Sequence, residues 1–301
     1  MYIPNDSVIM IIGKRGWDMK VRMNNQRQPS LSVGKIAKLK DLFERKNWPI
    51  EDYFDNHVFD NFCNLLAEYS PEQCDFLISL TEEFLWVNDS DYCRYFDNAL
   101  HKFICSYDFV RGKKIYFCPA LPEMDFEKSK SSVALIYIIK SRLFAIQKKY
   151  SDFNITLVDS PRLVDLSIVN KDFTLCLIDD FIGSGETVLN AADYLLRQGL
   201  TKDKCVILSL VSMNEGVKIL NSNGYTVYSA VQCNKGLSEN GTIEQIEMMK
   251  SIEDQIRIDE DFRFGYHSSE ALVKMMRTPN NTFPIYWFHK RNRNKYAPFP
   301  R

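Results

Sequence analysis

The residues best placed to do chemistry fall in one run. An apolar stretch, Leu175 to Ile178, leads into adjacent carboxylates, Asp179 and Asp180, and then into Phe181, Ile182, Gly183, Ser184, Gly185, Glu186 and Thr187. In an open α/β sheet, ligands collect beyond the carboxyl ends of the strands, which is where this acidic pair is expected. Glycines let backbone N–H groups come close to an anion, Ser184 and Thr187 add hydroxyls, and a following helix offers free N–H groups at its positive end. Residues 182–187 therefore read as a phosphate cradle. Two carboxylates beside it would repel a phosphate unless they accept hydrogen bonds from sugar hydroxyls or hold a divalent cation. A ribose 5-phosphate satisfies both demands. The competing reading is a strand–turn–helix in which the acids only cap the helix.

Three other clusters carry polar chemistry. Lys128, Ser129, Lys130, Ser131 and Ser132 stand at the start of a helical pattern, as a second anion site or as a solvated cap with a chance charge cluster. In 278–287, Asn280 and Asn281 offer amide donors and acceptors and Tyr286 or Trp287 an aromatic face for a base; Pro279 and Pro284 equally bracket a rigid turn. Basic residues at 289–295 beside Tyr286, Trp287 and Phe288 fit single-stranded nucleic acid or a solvated face. Gly13-Lys14-Arg15-Gly16 lacks the remaining glycine and the Ser/Thr of a P-loop and reads as a solvated hairpin or arm.

The elements that must position these residues divide near 112. Before it, after a short β-like run at 8–12, the apolar spacing is helical: Ile36, Leu39, Leu42 and Phe43, then Phe59, Phe62, Cys63 and Leu66. Ser70-Pro71 opens a helix expected to reach Trp86, and Asp89-Ser90-Asp91 caps another over 92–104. After 112 the pattern alternates. Strands are expected at 115–118, 155–158, 173–178, 205–212 and 226–231, with helices at 131–150, 187–198 and 215–221, which argues for βα units on a parallel sheet. Beyond Cys233 the pattern is mixed, with a helix expected at 268–276. The organisation is thus a helical region 1–111, an α/β core 112–232 and a tail 233–301.

Composition closes off other classes. The chain has 301 residues, 45% hydrophobic and 26% charged, so it folds. A net charge of −1 gives no global signal for nucleic acid or anionic lipid. Eight cysteines without a CxxC pair read as reduced thiols of a cytoplasmic protein, and four scattered histidines argue against a structural metal. No apolar run is long enough to span a membrane, and the N-terminus lacks a signal-peptide pattern.

The run 178–187 resembles the 5-phosphoribosyl 1-diphosphate motif of type I phosphoribosyltransferases, departing from it at Phe181, where a small aliphatic is usual, and at Gly183, where Thr or Ser is common. The resemblance covers 113–232 and implies that fold, with the helical N-terminal extension and a C-terminal segment as hood. It implies that Asp179 and Asp180 hold the ribose hydroxyls and that residues 182–187 wrap the 5′-phosphate. Leaving pyrophosphate would be stabilised by Mg²⁺ with Lys128, Lys130 or Arg162, with Ser129 and Ser131 at the pyrophosphate loop. Only 160–172 is available as the loop that covers the site in those enzymes, with Arg162 and Lys171 as its cations. Together with the helix entry at 129–132 and the 278–287 tail, the chain is most similar to the phosphoribosyltransferase-like PRTase-CE group of bacterial conflict systems. That similarity implies an effector of antiviral defence with protein partners, in some systems a reverse transcriptase, acting as an enzyme on a phosphoribosyl compound or as a nucleotide-sensing module.

Overall fold

The computed structural model describes residues 31–50, 57–106, 114–128, 130–164, 172–290 and 294–301. The 8–12 run, the Gly13–Gly16 motif, Ser129, Lys171 and residues 291–293 of the basic tail lie outside them. Three helices come first: α1 (Val33–Arg45), α2 (Val58–Leu66) and α3 (Pro71–Glu82). Ser70 caps α3 through a reciprocal box with Gln73, with Pro71 in the first turn where its missing N–H costs nothing. The helix stops at Glu82, short of the expected Trp86. Leu85 and Trp86 instead form β1 (Leu85–Trp86), paired in parallel with Val273 and Lys274 of the tail. A 3₁₀ turn at Asp89–Asp91 then leads into α4 (Tyr92–Ser106).

The α/β order follows as read from the sequence: β2 (Lys114–Pro119), α5 (Ser131–Lys149), β3 (Asn154–Leu157), β4 (Phe173–Ile182), α6 (Glu186–Arg197), β5 (Cys205–Met213), α7 (Asn214–Ser222) and β6 (Thr226–Cys233). All five strands pair in parallel in the order β3-β2-β4-β5-β6. Central β4 and β5 are buried almost throughout, as strands covered on both faces must be. β4 runs four residues past its expected end. Asp179 and Asp180 are therefore strand residues, with Asp179 in register with Ser209 of β5, rather than loop residues beyond the strand.

The tail departs most from expectation. A 14-residue helix, α8 (Ile243–Ile256), begins at a Thr242–Gln245 capping box, and no helix forms over 268–276. That segment turns through left-handed His267, Ser268 and Glu270 and then extends into β7 (Val273–Lys274). The Glu270 carboxylate is buried and accepts the N–H groups of Leu237 and Ser238, which fixes this path. A short helix, α9 (Pro284–Trp287), follows.

Three apolar clusters hold the molecule together. α4 and α5 cover one face of the sheet through Tyr92, Phe96, Phe103, Leu135 and Ile139. On the other face α6 packs Val188, Ala191 and Leu195 against Leu175 and Leu177. The third joins both ends of the chain: α1 to α3 share a core with Met249 and Ile252 of α8 and with Phe283, Tyr286 and Phe299. Phe84 stacks on Phe299 at 5.2 Å and lies 4.8 Å from Tyr286, while Trp48 meets Phe43 edge-on. Here the aromatic residues are core.

Candidate functional site

The carboxyl end of β4 opens into a cavity of about 450 Å³, within the range of small-molecule sites. Asp179 and Asp180 form its floor, both buried. Asp180 accepts a hydrogen bond from the Tyr92 hydroxyl at 3.0 Å and another from Ser131, while its N–H donates to Asp179 Oδ1 at 3.0 Å. Burial, joined by the charge of Asp180, pushes the Asp179 carboxyl well above its ordinary range. Asp180 is also raised by burial, with the Ser131 and Tyr92 donors working against the shift. Two carboxyls this close and this dry do not both ionise readily.

Residues 182–187 form one wall. Neither acid caps α6. Its N-cap is Gly185 at φ 83°, a left-handed position suited to glycine, and no side chain there takes up the first N–H groups. Ser184 Oγ accepts from Glu186 N–H only at 3.5 Å. The first turn of α6 thus keeps donors for an anion, as the cradle requires. Gly183 is needed for a different reason. A Cβ there would overlap the Asn281 side-chain amide, and the Gly183 carbonyl lies where a Cβ on Gly216 of α7 would be. The departure from the usual Thr or Ser is thus matched by Asn281, which occupies the space.

Lys130 and Ser131 enter the opposite wall, with Ser132 buried behind them. Lys130 and its neighbour Lys128 both pair with Asp125, at 2.9 and 2.7 Å. These ion pairs hold the Asp125 carboxyl below its usual range against the opposing effect of burial. Arg162 lies over the Phe126 ring at 5.8 Å. The cations expected to meet a leaving pyrophosphate are therefore engaged with this loop itself.

The third wall comes from the tail. Asn280 and Asn281 line the cavity as the 278–287 reading expects. Asn281 is fixed by donating to Ser269 Oγ at 3.0 Å and to the Tyr266 carbonyl at 3.3 Å. Tyr286 and Trp287 do not reach it. Tyr286 is buried with its hydroxyl 3.0 Å from that of Thr81, and Trp287 is buried with its indole N–H donating to the Thr282 carbonyl at 2.6 Å. Neither ring is free to stack a base: Tyr286 belongs to the core shared with the N-terminal helices, and Trp287 packs edge-on against Phe262. The tail's basic-aromatic reading loses these two rings with them.

The cavity thus brings together Asp179, Asp180, Lys130, Ser131, Asn280, Asn281 and the whole of 182–187, while Lys128, Arg162, Tyr286 and Trp287, also expected there, are not among the residues that line it. Three participants escaped the sequence reading. Tyr92 arrives from α4, 88 residues away in the chain, and read as one more helix-core aromatic. Arg277, one residue before the 278–287 segment, and Arg301 also line the cavity, and no local pattern marks either. Among the described residues no group of three His, Cys, Asp or Glu side chains gathers to hold a metal, and no helix is long and apolar enough to cross a membrane.

Comparison with known proteins adds a family. The PRTase-CE family model matches residues 75–301, a span that takes in α4, the whole sheet and the tail wall. Among solved structures the chain is similar to orotate phosphoribosyltransferase from Aeropyrum pernix, at 17% identity and a TM-score of 0.30, covering 48% of this chain and 72% of that one. No curated protein matches the chain.

Proposed function

The chain belongs to the PRTase-CE family, and from that premise we propose that it binds a small molecule carrying a ribose 5-phosphate, either 5-phosphoribosyl 1-diphosphate or a nucleotide, at the carboxyl end of β4. One observation carries the reading: a single cavity joins an uncapped helix start behind a Gly/Ser loop to a buried acidic pair. The N–H groups and hydroxyls of 182–187 suit the 5′-phosphate. Asp179, with Asp180 held beside it by Tyr92 and Ser131, suits the ribose 2′- and 3′-hydroxyls.

Mg²⁺ fits the same donors in a restricted way. Asp180 already takes bonds from Tyr92 and Ser131, which leaves Asp179 as the carboxylate able to turn toward a cation. A single carboxylate with ligand phosphate oxygens is an ordinary Mg²⁺ arrangement. When bound, the cation would neutralise phosphate charge beside the acids.

A second reading, a nucleotide-binding module without transfer chemistry, is favoured by the ion pairs that tie Lys128 and Lys130 to Asp125. Departure of pyrophosphate needs cations free to follow the developing charge, and these two are committed. Sensing of a nucleotide within an antiviral defence complex agrees with family membership and with this tethering. Calorimetric titration of 5-phosphoribosyl 1-diphosphate and of nucleoside 5′-monophosphates, with and without Mg²⁺, tests the proposal. Binding to the wild type and its loss on Asp179→Asn support it; affinity that survives Asp179→Asn unchanged overturns the ribose assignment. Pyrophosphate release on mixing with a base or nucleotide acceptor separates transfer from sensing.

A further inference from the structure

The charges around the cavity are nearly all spoken for. Asp125 holds Lys128 and Lys130, Glu186 lies 3.4 Å from His267, and Asp180 accepts from Tyr92 and Ser131. Arg277 and Arg301 are different. Both line the cavity, both are exposed, and neither makes an ion pair among the described residues. They come from separate parts of the tail that the fold brings together. Thr278, next to Arg277, donates its hydroxyl to the Phe299 carbonyl at 3.0 Å, and Phe299 N–H donates to the Tyr286 carbonyl at 2.8 Å. The Arg301 guanidinium is placed by the Trp287 ring, 5.9 Å from its centroid. Trp287 is itself locked by its bond to Thr282, so Arg301 rests on a rigid platform. Partial burial, together with the facing charge of Arg277, depresses the Arg301 pKa. Two guanidinium groups that share one cavity, each without an ion-pair partner among the described residues, repel, and an oxyanion bound by both removes that repulsion.

We infer that Arg277 and Arg301 clamp a second anionic group of the ligand, so that the cavity selects molecules bearing a phosphoryl group in addition to the ribose 5′-phosphate. This rests on the ribose 5-phosphate reading of 182–187 and extends it. The Gly/Ser wall takes one phosphate through backbone N–H groups, the acids take the sugar between, and the tail takes the other phosphate through side-chain forks. The fixed cation role expected of Lys128 and Lys130 passes to the arginines.

Three probes titrated into the full chain test this: ribose 5-phosphate, 5-phosphoribosyl 1-diphosphate and inorganic pyrophosphate, against wild type, Arg277→Gln, Arg301→Gln and the double variant. Both side chains are exposed, so the variants should keep the wild-type melting curve, which is measured alongside. Wild type should bind the diphosphate more tightly than ribose 5-phosphate. Each single variant should lose roughly ten-fold or more for the diphosphate and for pyrophosphate, as expected for a charge-assisted bond. Affinity for ribose 5-phosphate should stay within about two-fold. Equal losses for all three probes, or none for the two diphosphates, would overturn the clamp. Arginine-dependent pyrophosphate binding without any ribose 5-phosphate binding would uphold the clamp and overturn the ribose reading. Failure of every probe to bind wild type would refute both.

Discussion

Tyr92→Phe removes one oxygen from the point where the N-terminal helices, the acidic pair and the tail meet. The Tyr92 hydroxyl donates to Asp180 at 3.0 Å and accepts the Met276 N–H at 2.9 Å, inside a ring that is fully buried. Burial and the Asp180 charge keep the phenol protonated, so it acts as a donor to the acid. The phenyl ring of the variant preserves the packing against the sheet, and no cavity larger than the missing oxygen is formed. A lost hydrogen bond to a buried carboxyl is worth about 1.5–3 kcal/mol, while the Met276 N–H, near solvent, recovers most of its loss through water. The variant should therefore lose about 2–3 kcal/mol. For a chain of this size that lowers the melting temperature by roughly 3–5 °C. Asp180 loses a donor that opposes its raised pKa and becomes harder to ionise, so affinity for a ribose 5-phosphate ligand should fall while the Asp179→Asn difference shrinks. Thermal unfolding followed by circular dichroism and calorimetric titration at pH 7.5 read both effects. A melting temperature within about 1 °C of wild type would show that the hydroxyl carries no such bonds, and unchanged ligand affinity at a lowered melting temperature would confine Tyr92 to stability alone.

Two further outcomes follow from packing and from titration. Gly183→Ala should cost roughly 1–3 kcal/mol by driving a methyl into the Asn281 amide, and Asn281→Ala should recover part of that cost. A double-mutant cycle from urea midpoints that shows no coupling between the two positions contradicts the close approach. Glu253, on α8, is buried and accepts the Phe264 N–H at 2.9 Å; burial raises its carboxyl from 4.5 to about 7, partly offset by that donor and by Arg263. A carboxyl whose folded-state pKa is raised binds more protons in the native state than in the unfolded state between the two values. Its stabilising contribution is complete below about 4.5 and lost as pH rises through about 7, a swing of about 3 kcal/mol. Glu253→Gln should flatten the stability–pH curve across that window, and an unaltered slope in urea unfolding at several pH values would reject the assignment.

The α/β half was legible because its signals are local. Short apolar runs separated by helical patterns fix a parallel sheet, and the acid pair with its two glycines marks the strand end that binds. The extension of β4 to Ile182 was hidden because acidic residues read as a strand's end, and only pairing with β5 keeps Asp179 within the ladder. In the tail, a strong signal was present and outweighed by polarity: Thr242 with Gln245 three residues on is a capping box, and α8 starts there. The apolar residues of 268–276 suggested a helix, but the buried Glu270 and the left-handed residues before it force an extended path, a constraint that exists only once Leu237 and Ser238 are nearby. Tyr286 and Trp287 could not be sorted from sequence between ligand face and core, since an aromatic beside polar residues suits either. The burial of Tyr286 depends on α1 to α3, some two hundred residues earlier, and that of Trp287 on Phe262 of the tail.

That dependence explains how a costly site is held in place. Two neighbouring carboxyls in a dry strand end destabilise the fold that carries them: burial works against the charge of both, and the charge of Asp180 adds to the cost at Asp179. The compensation is structural. Tyr92 and Ser131 donate to Asp180 from two helices on the same face of the sheet, and Asn281 presses on Gly183 from a tail anchored in the N-terminal core. The site's three walls are thus supported by segments far apart in the chain, although the acids and the phosphate loop lie together at 179–187. A ligand that donates hydroxyls to the acids and places phosphate on α6 would relieve the same strain from within, so its binding energy and the rigidity of the tail wall should be coupled. The helical extension is in this sense part of the site: remove its core contacts and the wall bearing Arg277, Asn280 and Asn281 loses the surface it rests on.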